Sequence, residues 1–512
     1  MLPLHHGRQA RRGAGRGLLQ RLPRPARLLL AALLAVWCVT LLRHGVSSLA
    51  SLAAAKHRAA VTGGSSSTTP GGEHPSTVDA HARGPEQQGE AVPTPAVDRV
   101  SPEEERTCGK LASQWAEAVE AAAARQAAGP RLNLTYFLHV PRTAGRTTFW
   151  CALRPSVPPS ARCSRSYDHL RVDPHQQPQC SLLSTHDDFS LVESFPGEVT
   201  VVTQLRKPLE RVLSAYEFAV EVAGRTAWGN EGRGSQRGSS IDTRDVWPWS
   251  TLVNLMIEDM QARRAAAGGA APQRSDPPGS GYDEPGAYMP LAEFVAHPHV
   301  ADVLHNGAAF QLLGLTNNTR EAVHVAQASR LRLCAASSAG ASDTLAQVAL
   351  ARLRHRIPVV TLTERLEDSA SMLAASLGHP LTQPSFRTAS DWDPQTRREQ
   401  QVLGREAFDR AAVDEATPLG LAYHRCASKQ LGVFSSRKRN DRARIVFADG
   451  QGVKFDRRLL PGEVLNRIGE LNAMDRAIYD LGVELFDQRR AAFLEQGRWE
   501  SVDDVVAAHP GS

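Results

Sequence analysis

The sequence predicts an α/β fold in which helices flank a central parallel sheet. The run Leu134–Val140 is rich in β-branched and aromatic residues, which is typical of a strand. The apolar run Val199–Leu205 reads as a buried strand, and Pro208 then opens a helix that extends to Ala223. Repetition of strand, loop and helix favours a parallel sheet.

The remaining elements follow the same alternation. A loop after the first strand leads into a helix through Phe149–Leu153, and Ser181–Thr185 reads as a short strand. Ile357–Leu362 is a further strand candidate. Gly462–Gln496 reads as one helix, because its apolar residues recur on related faces.

The N-terminal region differs from the rest of the chain. Residues 1–27 form a basic tail, and the apolar run Leu28–Leu42 follows it, which favours a cytosolic N-terminus. At about 1.5 Å per residue the run spans roughly 22 Å, short for a bilayer of about 30 Å. A retained signal anchor over 28–43 therefore competes with a cleaved signal peptide. Either one sends the remaining chain into the secretory pathway.

The segment between this span and the first strand is poor in aromatic residues and rich in Ala, Gly, Ser, Thr and Pro. Such a composition buries too little apolar area to offset the entropy of ordering, so residues 44–131 are expected to form a flexible, disordered stem. We expect a catalytic domain over 132–497, with low-complexity surface insertions near 226–245 and 262–282, and a tail over 498–512.

Charge and cysteine content limit the function classes. The chain has 59 basic and 54 acidic residues, an excess that suits an anionic ligand but is too mild for a nucleic-acid coat. Cys38 lies in the apolar run, which leaves six cysteines for disulfides. We expect Cys163 and Cys180 to pair across a short loop, with Cys151 joined to a distant partner. No CxxC pair points to a metal.

The first candidate site is the strand-to-helix turn that starts at His139. Backbone N–H groups at such a turn bind anions, and two arginines add charged donors. An ordinary βα turn with solvated arginines is the plain alternative. The candidate ligand-binding residues are Arg142, Thr143, Ala144, Gly145, Arg146, Thr147 and Thr148.

The second candidate site follows the strand that ends at Leu205. Arg206 ends this strand, and Ser214 lies on the next helix, where a second phosphate could bind. A capped amphipathic helix with surface arginines is the alternative. Both sites lie at the carboxyl ends of parallel strands, the place where α/β folds bind nucleotides.

The pair of sites resembles the two phosphate-binding elements of sulfotransferases that use 3′-phosphoadenosine 5′-phosphosulfate (PAPS). The resemblance implies that Pro141–Thr148 forms a P-loop-like loop for the 5′-phosphosulfate, and that Arg206 and Ser214 hold the 3′-phosphate. Phe137–Thr143 is similar to the heparan sulfate 6-O-sulfotransferase branch, which usually has Lys where this chain has Arg142.

A fuller likeness is to the plant-type tyrosylprotein sulfotransferases, and it spans roughly 132–496. The segments that carry it are Tyr136–Cys151, Ser166–Arg171, Ser184–Asp188, Tyr216–Phe218, Trp247–Trp249, His305–Gly307, Gly314–Asn318, Leu362–Glu364 and Asn472–Phe486. The chain departs from the pattern at Ala144, where the family usually has Gly. We expect this position to tolerate a Cβ.

His186 follows a strand, in a position that resembles the catalytic base of the heparan sulfate branch. An imidazole titrates in the range that suits deprotonation of an acceptor hydroxyl, although a structural histidine is the alternative. Asp187 or Asp188 could orient the ring or act as the base. Arg142 or Arg146 would stabilise the leaving nucleotide. No metal is required.

The sequence thus predicts a single-pass Golgi membrane sulfotransferase that uses PAPS to sulfate tyrosines in acidic proteins. Three basic residues near the motifs, Arg165, Arg171 and Arg225, would bind the acidic flanks. A polysaccharide sulfotransferase is the alternative acceptor class, and a kinase-like nucleotide-binding protein or an inactive relative are rivals of other classes.

Overall fold

The computed structural model describes residues 101–163, 180–228, 246–275, 280–319, 322–386, 417–433 and 445–510. The predicted basic tail, the apolar span 28–43 with Cys38, and the stem up to residue 100 lie outside these ranges. Within the described ranges, no helix is both long and apolar enough to cross a membrane.

A parallel sheet of four strands forms the centre of the fold and confirms the predicted class. The strands are β1 (Arg131–Leu138), β2 (Leu182–Thr185), β3 (Glu198–Leu205) and β4 (Val359–Leu362). Their order across the sheet is β2-β1-β3-β4, and every neighbouring pair is parallel. All four strands therefore end at the same edge.

The helices before β4 are α1 (Pro102–Ala127), α2 (Gly145–Thr147), α3 (Ser190–Glu193), α4 (Pro208–Ala227), α5 (Trp249–Ala266), α6 (Leu291–Ala296), α7 (Ala301–Leu304), α8 (Gly307–Leu313), α9 (Ala322–Ser337) and α10 (Ala339–His355). After β4 come α11 (Leu366–Leu377), α12 (Leu419–Val433), α13 (Gly462–Leu471), α14 (Ala473–Glu495) and α15 (Val502–Ala507). The predicted single helix over Gly462–Gln496 is broken at Asn472, whose φ of −127° is not helical.

The predicted stem is wrong over its last thirty or so residues, because residues 102–127 form α1. Ser101 caps this helix by accepting a hydrogen bond from the Glu104 N–H, and the Glu104 carboxylate accepts from Ser101 in return. Trp115 is buried, and Cys108 is joined to Cys334 of α9. Helix α1 is thus stabilised both by its capped, alanine-rich sequence and by packing on the rest of the fold.

Two other predicted boundaries also change. The expected tail 498–512 contains α15, whose Val502 and Val505 are buried. In the expected insertion near 262–282, α5 continues to Ala266 and Tyr282 is 2% exposed. Residues 229–245 and 276–279 lie outside the described ranges.

Apolar side chains form two cores. The first surrounds the sheet and includes α1, α10 and α11, whereas the second lies between α4, α5, residues 282–304 and residues 445–468. Helix α4 places Arg211 between them, where the guanidinium pairs with Asp475 of α14 at 2.9 Å; both side chains are at most 2% exposed. This buried pair fixes α4, which carries the second candidate site.

The predicted disulfide Cys163–Cys180 is confirmed. Cys151 pairs with Cys426 of α12, the distant partner that was expected. Together with Cys108–Cys334, the three bonds use all six cysteines outside the apolar run.

Candidate active site

The carboxyl edge of the sheet brings the predicted residues together. His186 follows β2, His139 follows β1, Arg206 follows β3 and Thr363 follows β4. Since the strands are parallel and adjacent, these four residues lie in one row across the edge of the sheet. This edge is the usual ligand-binding place of open parallel sheets.

The loop after β1 owes its shape to backbone in the left-handed region. Arg142 has φ 69° and Ala144 has φ 57°. The Thr143 hydroxyl donates to the Val140 carbonyl at 2.8 Å, and the Thr363 hydroxyl donates to the Thr143 carbonyl at 2.7 Å. We expected position 144 to tolerate a Cβ. That expectation is wrong, because a Cβ in the left-handed region costs about 1–2 kcal/mol.

Gly145 is required by close packing. A Cβ at this position would lie 2.0 Å from Cδ2 of His139, whose side chain is buried. The loop therefore closes directly over the His139 ring, and only glycine allows that approach.

The helix after the loop is not regular. Helix α2 covers one turn, and Thr148–Leu153 continues it as a π-helix, where an ordinary helix was predicted. The Thr147 hydroxyl donates to Gln430 of α12 at 2.9 Å, and the Thr148 hydroxyl donates to Gln204. Both predicted oxyanion donors thus have acceptors inside the protein, and their role in ligand binding stays a prediction.

The two candidate phosphate sites are in direct contact. The Arg142 guanidinium donates from Nε and Nη2 to the Ser214 Oγ at 3.0 and 2.8 Å. It also stacks over Phe218, 4.6 Å from the ring centre. Arg206 donates from Nη1 to the Arg142 carbonyl at 3.1 Å and so braces the left-handed residue. Arg146, the other predicted cation of the loop, is half-buried.

Two histidine rings lie against each other, tilted by 42°, at the other end of the row. The ring centres of His139 and His186 are 4.7 Å apart. Burial lowers the pKa of His186 to about 4, and burial, with the nearby His186 and Arg142, holds the pKa of His139 well below its usual range. Both rings are therefore uncharged at neutral pH, the form in which an imidazole accepts a proton.

Amide side chains that the sequence analysis did not identify hold this pair. Asn318 donates from Nδ2 to the His186 carbonyl at 2.9 Å, and Gln311 donates from Nε2 to the His139 carbonyl at 2.9 Å. Asn318 belongs to the segment Gly314–Asn318, where the family resemblance was noted, and that resemblance was the only signal for it. Gln311 lies between the noted segments and had no signal, since nothing local marks an amide as a contact of a distant strand end.

Asp188 serves the neighbouring loop. Its carboxylate accepts from the Thr316 hydroxyl at 2.6 Å and from the N–H groups of Ser190 and Thr316, both at 3.1 Å. Burial raises its pKa, against the effect of these hydrogen bonds. Asp188 thus ties β2 to residue 316. Asp187 is 2% exposed and follows His186 directly.

The aromatic and acidic residues flanking the site have structural contacts. Trp249 is buried and packs against Phe218, with ring centres 4.6 Å apart, and Trp247 donates from Nε1 to Asp302 at 3.3 Å. Glu364 accepts from the Lys207 N–H at 2.9 Å and from the Tyr479 hydroxyl at 3.1 Å.

The predicted basic residues near the cleft are only partly described. Arg225 pairs with Glu221 of its own helix at 3.5 Å. Arg165, Arg171 and the basic run at 437–439 lie outside the described ranges. In the described part of the chain, no three His, Cys, Asp or Glu side chains form a group that could hold a metal ion.

Comparison with known proteins agrees with this geometry. No family model matches the chain. A curated relative, the protein-tyrosine sulfotransferase of Arabidopsis thaliana, is 33% identical over 411 residues, which cover 74% of this chain and 80% of the relative. With this identity over most of both proteins, the chain belongs to the protein-tyrosine sulfotransferase family.

Proposed function

We propose that this protein transfers the sulfuryl group of PAPS to the hydroxyl of tyrosines in acidic proteins. The observation that carries the proposal is the junction of the two phosphate sites, in which Arg142 of the loop contacts Ser214 of α4 at 2.8 Å. One nucleotide with a phosphosulfate at one end and a 3′-phosphate at the other would span both sites.

The residues present fit such a donor. Arg142 and Arg206 supply guanidinium groups, which bind phosphate oxygens through paired hydrogen bonds. Burial lowers the pKa of Arg206, yet an arginine keeps its charge over the physiological range. The left-handed backbone at Arg142 and Ala144 gives the loop its concave shape. Arg206 would hold the 3′-phosphate together with Ser214, and Arg142 and Arg146 would face the phosphosulfate.

The reaction needs one base and one site for developing charge. As the tyrosine oxygen forms its bond to sulfur, the bond from sulfur to the phosphate oxygen breaks, and the phenolic proton passes to His186. The leaving 3′,5′-diphosphoadenosine gains negative charge, which Arg142 or Arg146 stabilises electrostatically. His186 is uncharged at neutral pH and can accept the proton, but its pKa of about 4 lies below the neutral range in which a general base is most effective.

We further propose that the protein works in the Golgi as a membrane-anchored enzyme with its catalytic domain in the lumen. Support comes from the three disulfides, since such bonds persist in the oxidising secretory pathway. The apolar run Leu28–Leu42 supplies the anchor or signal. The sequons at Asn133 and Asn317, both exposed, would be accessible to glycosylation there.

The acceptor is tested by transfer of labelled sulfate from PAPS. We expect label in an acidic tyrosine peptide and none in the matched peptide with phenylalanine in place of tyrosine. Equal label in both peptides, or label only in a desulfated polysaccharide, would reject the tyrosine assignment in favour of the polysaccharide alternative. Retention on immobilised 3′,5′-diphosphoadenosine without magnesium separates this class from kinases, which need the metal.

The base is tested by His186→Ala. We expect transfer to be lost while the Kd for 3′,5′-diphosphoadenosine changes by no more than a few-fold, because a base acts on the transition state rather than on nucleotide docking. His299→Ala, at an exposed histidine, is the matched control and should keep full activity. Near-normal turnover by His186→Ala would remove His186 from the mechanism.

A further inference from the structure

Four charged side chains of alternating sign lie along one face of α4 next to the second candidate phosphate site: two belong to α4, one precedes it and one comes from a distant turn. Arg206 lies 3.5 Å from Glu210, one turn along the helix. The same Glu210 oxygen, Oε2, also accepts from Arg457, and the Arg457 Nη2 lies 2.7 Å from Glu217. The order along the chain of contacts is thus Arg206, Glu210, Arg457, Glu217.

The negative charge of Glu210 is unfavourable for phosphate binding at this site. Its carboxylate would lie within one helix turn of the doubly charged 3′-phosphate on Arg206, and like charges at such a distance repel. Glu210 also competes with the phosphate for the Arg206 guanidinium. These charges are only partly screened, because Arg206 is 20% exposed and Glu210 is 36% exposed.

Arg457 is placed to offset this carboxylate. It comes from the turn Arg457–Leu459, nearly 250 residues after Glu210 in the chain. The Arg457 guanidinium also pairs with Glu217. This carboxylate is 2% exposed and accepts a hydrogen bond from the Tyr282 hydroxyl at 2.5 Å. Glu217 and Tyr282 thereby fix the guanidinium beside Glu210. Burial lowers the pKa of Arg206 the most. Of the two neighbouring charges, Glu210 raises this pKa and Arg457 lowers it.

We propose that Arg457 is a positioning residue for the nucleotide: it neutralises Glu210 and so leaves Arg206 available to the 3′-phosphate. This inference rests on the proposed function. Arg457 acts through Glu210 and Arg206 and does not itself need to touch the ligand. The carboxyl-terminal part of the chain thus adjusts the charge of a site built by β3 and α4.

A double-mutant cycle tests the proposal, with the Kd for 3′,5′-diphosphoadenosine measured by calorimetry on the full chain. Arg457→Met keeps the length of the side chain and removes its charge, and we expect the Kd to rise about tenfold. Glu210→Gln alone should lower the Kd about threefold, since it removes the repulsion. In the double variant the Kd should return to within about twofold of that of Glu210→Gln, because no carboxylate then remains at 210 to be neutralised.

The neighbouring Arg458 supplies the matched control. It is 87% exposed and pairs with Asp456, so Arg458→Met should leave the Kd unchanged. If Arg457→Met does not fold because Glu217 loses its partner, the Kd of Glu210→Gln tests the proposal by itself. A nucleotide affinity equal to or weaker than that of the parent protein overturns the proposal. A double variant as weak as Arg457→Met also overturns it, since Arg457 would then contact the phosphate directly. Failure of the parent protein to bind the nucleotide would instead reject the proposed function.

Discussion

The two candidate phosphate sites are built in different ways. The loop after β1 depends on its backbone: two non-glycine residues in the left-handed region and a glycine closed over a histidine ring. The site on α4 depends on side chains, since Arg206 and Ser214 extend from a strand end and a regular helix of 20 residues. We conclude that the loop tolerates little change in conformation, whereas the α4 site tolerates changes in shape but not in charge.

The sharpest test of this difference is Gly145→Ala. The new Cβ would meet the His139 ring at 2.0 Å, and the ring has little room to move because it is buried and lies against the His186 ring. We expect kcat to fall about 10²-fold, since a displacement of about 1 Å at the reacting groups has an effect of that size.

The control for this variant is Gly109→Ala on α1, where an added Cβ meets nothing within 4 Å. Full activity should remain there. If Gly145→Ala were as active as Gly109→Ala, the loop would not depend on its backbone in the way we describe.

The second test removes the brace behind the loop. Cys151 lies in the π-helix that follows the loop, and its partner Cys426 lies on α12, the helix that also provides Gln430 to Thr147. Replacing both cysteines by alanine should cost about 2–4 kcal/mol of unfolding free energy, measured by urea denaturation, and should also weaken nucleotide binding.

The control replaces Cys163 and Cys180, which bracket a short loop, by alanine. This double variant should lower the unfolding free energy without altering nucleotide affinity. Equal losses of affinity in the two double variants would show that α12 does not brace the phosphate loop.

The third test concerns charge on α4. Arg206→Ala should weaken binding of 3′,5′-diphosphoadenosine by about 1.5–3 kcal/mol, because it removes a charged donor to the phosphate. Ser214→Ala should weaken it less, as the hydroxyl carries no charge. Calorimetry at two salt concentrations checks both, with a lower salt dependence expected for the arginine variant. If both variants bind as the parent does, the 3′-phosphate lies elsewhere.

The smallest expected effect is a gain in the stability of the folded protein. Ala144 has φ 57°, and glycine reaches this region without the steric cost of a Cβ. Ala144→Gly should therefore relieve about 1 kcal/mol in the folded state, offset in part by the greater freedom of glycine in the unfolded chain. Thermal unfolding measures the net change. A clear loss of stability would mean that Ala144 is not strained.

Local patterns predicted most of the sheet edge. Strand ends at Thr185, Leu205 and Leu362 could be read from apolar runs and the turns after them, and the parallel order then placed His186 and Arg206 at one edge. The first strand was predicted to end at Val140 and ends at Leu138. The curvature of the loop was missed because Ala144 itself does not mark a left-handed conformation, although the Gly usual at this position in the family was a signal for it.

Contacts between residues that are far apart in the chain could also not be predicted from the sequence. Asn318 and His186 are 132 positions apart, and Gln311 and His139 are 172 apart, so no periodicity or spacing links them. Helix α1 was missed for a different reason, because local signals mark it: Ser101 and Glu104 form a capping box, Pro102 opens the helix, and the alanine-rich sequence that follows favours a helix.

The bond between Cys151 and Cys426 has a consequence for biosynthesis. The two cysteines are 275 positions apart. The ribosome must therefore add at least 275 residues after Cys151 before the loop after β1 can be tied to α12. A nascent chain that stops short of α12 lacks both the disulfide and the Gln430 contact.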